Sequence, residues 1–350
     1  MADLGEELAG ERSAATGGRR VSAVIVNWNG MRFLEPCLDS LRPYAEQLEL
    51  IVVDNGSTDG SLEYLRRRND VRLLAQAENL GYARANNLGI EQASGDYVLL
   101  LNNDTVAQPG FLAPLLAVME ANPGIGAGQS KMLTADEPHR IDAYGSYLTS
   151  SGFLYHHLYD RPDEPPRGPF EVFSAKGAAV LIRRDVLQQT GSFDADFFAY
   201  LEDSDLSWRI WLAGFRVVCV PESVVLHRGG ATASALPSEL VFYHSFKNRV
   251  CMLLKNLSPG RLALIMPLHL LLIMVLMCFY LVRGRAGAAR GIARALAWNF
   301  AHLAETLGKR RWVQASLRRV SDSSIWPAIT RPVRLSYYYY LLVGLGGYRE

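Results

Sequence analysis

The sequence has few cysteines and begins without an apolar run, and both absences narrow the class of protein. Its four cysteines, Cys37, Cys219, Cys251 and Cys278, are widely separated, lack metal-ligand spacing and lie mostly in apolar segments. This usage is typical of small buried side chains in a reducing compartment, and it argues against a disulfide scaffold or a cysteine-ligated metal. Residues 1–20 are polar with charges of both signs, so we expect a flexible leader and not a secretory signal.

Acidic residues are scarce near the C-terminus. From Asn256 onward there are thirteen Lys and Arg against three Asp and Glu, a net charge of +10, whereas the whole chain carries only +1 and the preceding part is therefore acidic. A basic tail on an acidic body suits an anionic membrane surface and disfavours nucleic acid as a partner. With 350 residues, 49% of them hydrophobic, the chain can build one large or two moderate domains.

Strands and helices are predicted to alternate along the first hundred residues. Apolar runs at 21–26, 50–53, 71–75 and 97–101 indicate strands, and apolar residues at helical spacing lie between them. The alternation predicts an open, largely parallel α/β sheet flanked by helices. Further along, residues 124–128 are interpreted as a loop and a short strand, and strands are expected at 178–182 and 217–220.

Polar clusters follow three of these four predicted strands, at residues 27–29, 54–57 and 102–104. In a parallel sheet such residues line the carboxyl edge, where ligands bind. One such cluster alone would be interpreted as a turn, because Asn, Asp and Gly favour turns. Three together indicate a binding site.

A second acidic cluster places Glu202, Asp203 and Asp205 within four positions, beside Trp208 and Arg209. Crowded carboxylates raise one another's proton affinity, so such clusters bind cations or supply a general base. If this segment is helical, Asp205 and Arg209 lie one turn apart and can pair, which makes Asp205 structural. The chemistry indicated is metal-assisted group transfer.

Five motifs occur in a fixed order: VIVNWNG at 24–30, VVDNGS at 52–57, NLGYARANN at 79–87, LNND at 101–104 and EDSDL at 202–206. Together they resemble the family-2 glycosyltransferases of the GT-A fold, and within them the bacterial rhamnosyltransferase-like branch. The resemblance covers roughly residues 21–257 and is far more specific than any single motif. It implies a Rossmann-like, mixed and mostly parallel sheet flanked by helices.

The resemblance also implies a reaction and its residues. A single sugar, with rhamnose as the candidate, would pass with inversion from a nucleoside-diphosphate sugar to a hydroxyl of a lipid-linked or cell-envelope glycan. Asp203 matches the general base, and Glu202 would contact the acceptor. Donor contacts fall on Asn27, Asp54, Asn55, Asn79, Gly81, Asn86 and Asn103, with Asp54 at the base or ribose.

The implied metal site departs from the family pattern. Asp104 matches the last position of the Asp-x-Asp motif, but Asn102 occupies the first position, where many relatives have aspartate. One carboxylate plus diphosphate oxygens is sufficient for Mn²⁺ or Mg²⁺. His227 matches the histidine that closes this site in relatives, although a lone histidine after a strand is often structural. Lys176 is interpreted as a solvated loop charge in preference to a phosphate contact.

The tail carries an apolar run at 262–282 without acidic or basic residues, just long enough to cross a bilayer. A single span would carry the +10 tail across the membrane, whereas a re-entrant or interfacial helix avoids that conflict. One amphipathic surface helix is predicted from Ile292, Leu296, Phe300, Leu303 and Leu307, and a further interfacial contact from residues 337–343. We expect the cytoplasmic face of the cell membrane as the location.

Four segments are therefore expected: a leader at 1–20, a nucleotide-sugar-binding half at 21–130, an acceptor and catalytic half at 131–257, and a membrane-associated tail at 258–350. The expected partners are a nucleotide-sugar donor, a glycan or glycolipid acceptor and a membrane surface. The rival interpretation is a non-catalytic sugar-nucleotide-binding membrane scaffold, which the substitution at Asn102 makes conceivable.

Overall fold

A computed structural model describes residues 21–163, 165, 168–229, 237–333 and 337. The predictions for the leader at 1–20 and for the segment 338–343 lie outside these residues.

The N-terminal part alternates strands and helices as the sequence predicts. Its elements are β1 (Val21–Asn27), α1 (Met31–Leu41), β2 (Leu48–Asp54), α2 (Ser61–Arg66), β3 (Arg72–Ala75), α3 (Tyr82–Glu91) and β4 (Tyr97–Asn102). Strands β1, β2 and β4 consist mainly of Val, Ile and Leu and are buried along nearly their whole length, as parallel strands covered on both faces are.

The remaining sheet residues come from β5 (Thr105–Ala107), β6 (Ile125–Thr134), β7 (Ile141–Ala143), β10 (Phe170–Glu171), β11 (Ala179–Arg183) and β12 (Arg216–His227). Helices α4 (Leu112–Ala121), α5 (Arg184–Thr190) and α6 (Glu202–Leu212) connect them. The sheet order is β10-β12-β6-β11-β4-β1-β2-β3, with β5 on β12 and β7 on β6. Strand β11 runs antiparallel to both neighbours, so the sheet is mixed and mostly parallel, as expected. A separate hairpin joins β8 (Ser146–Leu148) to β9 (Leu154–His156).

The strand predicted within residues 124–128 is confirmed, but the prediction that it is short is wrong. Strand β6 has ten residues and is buried along nearly all of them. The polar residues of β6 break the apolar pattern of a buried strand, and two of them have partners inside the protein: Ser130 Oγ lies 2.8 Å from Ser223 Oγ, and Lys131 Nζ donates to Asp163 at 2.8 Å. The strand expected at 217–220 is likewise part of a longer one, β12, which continues to His227 with an irregularity between Val220 and Val224.

After β12, the described residues form five α-helices, with a π-helical turn at Val313–Leu317 between the last two: α7 (Ser238–Asn256), α8 (Pro259–Val282), α9 (Ala286–Ala301), α10 (Leu303–Trp312) and α11 (Asp322–Ile329). Helix α8 is long and apolar enough to cross a membrane. One face of it is buried through Ile265, His269, Ile273, Leu276 and Tyr280. The prediction of a single amphipathic helix downstream is wrong, because the helix is interrupted at His302, which separates α9 from α10.

Candidate active site

A cavity of about 250 Å³ opens at the carboxyl edge of the parallel strands. The ends of β1, β2 and β4 line one side of it, the start of α6 lines another, and the β8–β9 hairpin forms part of the wall. Asp104 and Asp203, which lie about a hundred residues apart in the sequence, both line this cavity. The fold therefore brings the two acidic clusters of the sequence to one site.

The first corner of the cavity joins Asp104, His227 and Asp142. His227 is the last residue of β12, whose antiparallel pairing with β5 sets His227 opposite Thr105. Its Nδ1 lies 2.8 Å from Asp142 Oδ2, and because a carboxylate only accepts, Nδ1 carries the proton. His227 Nε2 then faces Asp104 Oδ1 at 3.3 Å. Both are buried, and neither has a hydrogen-bond partner among the described residues.

Two acceptor atoms this close repel each other unless a proton or a cation lies between them. Burial and Lys176 lower the pKa of His227, but Asp104 and Asp142 outweigh them and raise that pKa to about 9. Burial alone would raise the pKa of Asp104, yet His227 and Lys176 lower it. The corner is built to hold positive charge.

Lys176 belongs to the same corner, so its interpretation as a solvated loop charge is wrong. It lines the cavity, and its Nζ donates to Asp142 Oδ2 at 2.9 Å. Burial lowers the pKa of Lys176, but nearby carboxylates, Asp142 first among them, together raise it by more than burial lowers it. The net pKa is therefore above the usual value, and the side chain is charged. An anionic group entering the cavity meets this charge.

The second corner holds Asp203 at the start of α6. Its Oδ2 accepts from the Gly177 amide at 3.1 Å, and its Oδ1 accepts from the Ser204 amide at 2.6 Å. Burial raises the pKa of Asp203 against the lowering effect of these donors and of Lys176. The predicted pairing of Asp205 with Arg209 is confirmed, since Arg209 Nε lies 3.0 Å from Asp205 Oδ2. Glu202 is buried and also lines the cavity.

The donor-side corner contains four of the predicted residues: Asn55, Asn79, Gly81 and Asn103 line the cavity. Asn55 Nδ2 donates to Asn79 Oδ1 at 2.9 Å, which fixes both amides. Gly81 has φ +84°, and a Cβ there would lie 2.6 Å from the carbonyl oxygen of Phe198, so only glycine fits. Amides and close backbone approach suit sugar and phosphate oxygens.

Three predicted donor residues lie beneath the cavity and do not line it. Asp54 is fully buried; its Oδ1 accepts from Asn27 Nδ2 at 3.0 Å and its Oδ2 accepts from the Ser57 amide at 3.1 Å. Asn86 is buried in α3, and its amide donates to the Tyr82 carbonyl. In this arrangement they support the lining residues, and direct donor contact by them stays a prediction.

Sequence reasoning missed Asp142, Gln129 and the hairpin wall. Asp142 lies on the three-residue strand β7, whose place is fixed by pairing with β6 and by no local pattern. Gln129 Oε1 accepts from the Lys176 amide at 2.8 Å, and its Nε2 has no partner among the residues described. No metal-ligand spacing or charge cluster in the sequence marks either residue.

The hairpin wall is joined to the apolar helix α8. His269, fully buried on α8, donates from Nδ1 to the Ser151 carbonyl at 2.7 Å, and its ring lies 4.6 Å from that of Phe153. Both partners lie in the turn between β8 and β9. The other end of the hairpin lines the cavity through Ser146 and His156.

Residues 22–191 match the model of the family described as glycosyl transferase family 2. An N-acetylglucosaminyl-diphospho-decaprenol L-rhamnosyltransferase of Mycobacterium tuberculosis is 30% identical over 251 residues, which cover 63% of this chain and 80% of that protein. The chain is a member of glycosyltransferase family 2. The enzyme is also 29% identical over 241 residues to the O-antigen biosynthesis protein RfbC of Myxococcus xanthus, of which it spans only 19%, against 65% of its own length.

Solved structures show that the enzyme has the GT-A fold, as the motifs imply. The structure titled GalNAc-T7 with UDP, GalNAc and Mn²⁺ aligns with a TM-score of 0.53 at 20% identity, over 67% of this chain and 47% of that one. The mannosyltransferase PcManGT of Pyrobaculum calidifontis, in complex with GDP-Man and Mn²⁺, aligns with a TM-score of 0.50 at 20% identity, over 95% and 88%.

Proposed function

We propose that the enzyme transfers one sugar, with rhamnose as the first candidate, from a nucleoside-diphosphate sugar to a hydroxyl of a lipid-linked cell-envelope glycan. The observation that carries this proposal is the shared cavity: a carboxylate with raised pKa, Asp203, lines the same space as the positive corner of Lys176, His227 and Asp104. The Mycobacterium tuberculosis relative, a rhamnosyltransferase by name, supports the choice of sugar and of a prenyl-diphosphate acceptor.

The residues of the positive corner fit a divalent cation. Asp104 Oδ1 and His227 Nε2 are buried, face each other and have no hydrogen-bond partner within the described chain. Asp142 orients the imidazole from behind, as carboxylates behind metal-bound histidines do. The described residues offer no group of three or more such ligands, so the diphosphate would complete the shell. When bound, Mn²⁺ or Mg²⁺ neutralises the leaving diphosphate.

The remaining chemistry falls to the protein. Asp203 takes the proton of the acceptor hydroxyl while that oxygen forms a bond to the anomeric carbon. The bond from this carbon to the phosphate oxygen breaks, and its electron pair leaves with the nucleoside diphosphate, which Lys176 stabilises electrostatically. Attack opposite the leaving group inverts the anomeric centre.

Membrane association is proposed from the outer face of α8. Leu264 and Leu271 are 72% and 60% exposed, although the opposite face of the helix is packed on the protein. A helix buried along one side and apolar along the other suits an interfacial position better than a free span. Arg283 and Arg285, directly after the end of α8, are exposed and suit the anionic cytoplasmic leaflet.

The transfer proposal is tested with a panel of uridine, guanosine and thymidine diphosphate sugars, rhamnose included, and prenyl-diphosphate-linked N-acetylglucosamine as acceptor. We expect acceptor-dependent release of nucleoside diphosphate that chelator abolishes and Mn²⁺ restores somewhat better than Mg²⁺. Asp104→Asn should weaken binding of Mn²⁺ with UDP, measured by calorimetry, whereas Asp136→Asn, at an exposed site, should not. Turnover indifferent to chelator would reject the metal role, and donor binding without transfer would favour the scaffold.

The membrane proposal has its own test. Leu271→Glu should reduce co-sedimentation with vesicles containing phosphatidylglycerol, because it puts a charge on the exposed apolar face of α8. Ala113→Glu, on an exposed face of α4, is the matched control. Equal binding of the two variants would contradict an interfacial α8.

A further inference from the structure

The backbone immediately before the proposed base adopts a conformation that is unfavourable for its residues. Tyr200 has φ +72° and Leu201 has φ +65°, and neither is a glycine, an asparagine or an aspartate. Such residues are destabilised in the left-handed region and persist there only when their surroundings hold them. Two in succession lie directly before Glu202 and Asp203.

One side chain from helix α7 holds this segment. Asn248, on α7, is fully buried, and its Nδ2 donates to the carbonyls of Ala199 at 2.8 Å and Tyr200 at 2.6 Å. Both hydrogens of a single amide are thus used on two successive peptide groups at the strained turn. An amide in this geometry fixes the orientation of both peptide planes.

The same helix holds α6 a second time, beyond the base. Asn256 Nδ2 donates to Asp205 Oδ1 at 2.9 Å, and Lys255 Nζ donates to Asp205 Oδ2 at 3.0 Å. Asp203 lies between these two contact points. Helix α7 therefore fixes both the turn at residues 199–201 that leads into α6 and the first turn of α6 itself.

We propose that Asn248 is a positioning residue for Asp203, acting through the strained turn at Tyr200 and Leu201. The inference rests on the assignment of Asp203 as the base under the proposed function. Without the Asn248 amide, the turn relaxes towards ordinary backbone angles and the start of α6 shifts. Misplacement of a reacting group by about 1 Å costs roughly 100-fold in rate, so the loss appears in kcat.

A matched control exists on a neighbouring C-terminal helix. Asn299, on α9, is 5% exposed, and its Nδ2 donates to the carbonyls of Lys247 on α7 and Ala295 on α9, at 3.1 and 2.9 Å. Asn248→Ala and Asn299→Ala thus each delete a buried amide with two carbonyl partners. Only the first deletion removes contacts to the segment before the base.

The experiment measures kcat and donor KM for both variants with UDP-N-acetylglucosamine, GDP-mannose and TDP-rhamnose as donors, and UDP affinity by calorimetry. We expect Asn248→Ala to lower kcat by roughly 10- to 100-fold with UDP affinity unchanged. Asn299→Ala should keep kcat within about twofold while losing similar thermal stability. Equal kcat in the two variants would overturn the proposal.

A second variant tests the strained turn itself. Glycine adopts positive φ freely, so in the Leu201→Gly variant the turn depends less on the hydrogen bonds from Asn248. We expect the fold-loss of kcat caused by Asn248→Ala to be at least about threefold smaller in the Leu201→Gly background than in the parent. This comparison holds whatever effect Leu201→Gly has on its own. Additive losses would contradict a role through the turn.

Hydrogen exchange gives a readout that needs no substrate. Amides of residues 201–205 should exchange faster in Asn248→Ala than in the parent or in Asn299→Ala. If Asp203→Asn retains turnover, the base assignment fails, but this exchange comparison still decides whether Asn248 holds the segment. Unchanged exchange would refute the hold.

Discussion

Replacing Asp203 by asparagine tests the proposed reaction most directly, and the structure shapes the expected result. Asp203 accepts three hydrogen bonds, two from the amide and hydroxyl of Ser204 and one from the Gly177 amide. Asparagine has one oxygen to offer, so its NH₂ group must face one of these donors. With the oxygen towards Ser204, the NH₂ faces the Gly177 N–H, which costs about 1–3 kcal/mol of stability.

The effect on rate should be larger than the effect on stability. A positioned general base contributes roughly 10²- to 10⁴-fold, or about 2.7–5.5 kcal/mol of activation free energy at about 1.36 kcal/mol per factor of ten. Because burial raises the pKa of Asp203, the carboxylate is a better base than an exposed one, and we expect a loss of about 10³-fold.

The assay follows acceptor-dependent release of nucleoside diphosphate at saturating donor, together with UDP affinity and thermal unfolding. Ser204→Ala is the control, since it removes one hydroxyl contact to Asp203 and keeps the carboxylate. UDP affinity should be preserved in both variants. Turnover of Asp203→Asn within about threefold of the parent would show that another group accepts the proton.

Two further predictions concern charges around α6. Lys255→Met should lower the free energy of unfolding in urea by about 2–3 kcal/mol, because Lys255 bridges the buried carboxylates of Asp194 and Asp205, each of which keeps one other basic partner. Lys176→Met should move the acid limb of the kcat/KM profile to higher pH. The Lys176 charge lowers the pKa of Asp203, which must be deprotonated to act as the base. Without that charge, Asp203 is protonated at a higher pH as the pH falls.

Both predictions have lysine controls in the same chain. Lys309→Met, at a side chain that is 33% exposed, should cost less stability than Lys255→Met. Lys131→Met breaks a pair with Asp163 away from the cavity and should leave the pH profile unchanged. A larger loss at Lys309, or a pH shift with Lys131→Met, would contradict the respective argument.

The local order of the first hundred residues could be predicted because its signals are local. Apolar runs of strand length, followed by Asn and Asp, specify both the buried strands and their polar edge. The convergence of Asn55, Asn79 and Asn103 on one cavity follows from parallel strands having their carboxyl ends on one side.

The misses have the opposite cause. Strand β6 carries polar residues whose partners lie far along the chain, so its sequence does not show strand periodicity. Asp142 contacts His227, which is 85 positions away, and Asn248 contacts Tyr200, which is 48 positions away. These contacts form only when the sheet and the C-terminal helices have folded. Asn27 and Asp54 are the last residues of β1 and β2, but they hydrogen-bond to each other and do not line the cavity.

The junction between His269 and the β8–β9 turn affects how this enzyme can be engineered. Helix α8 exposes leucines on its outer face, and on its inner face His269 donates a hydrogen bond to the pocket wall. Replacing the chain after residue 257 with a helix from another protein would therefore remove the His269 contact that supports the hairpin. A chimera should exchange α8 and residues 146–156 together.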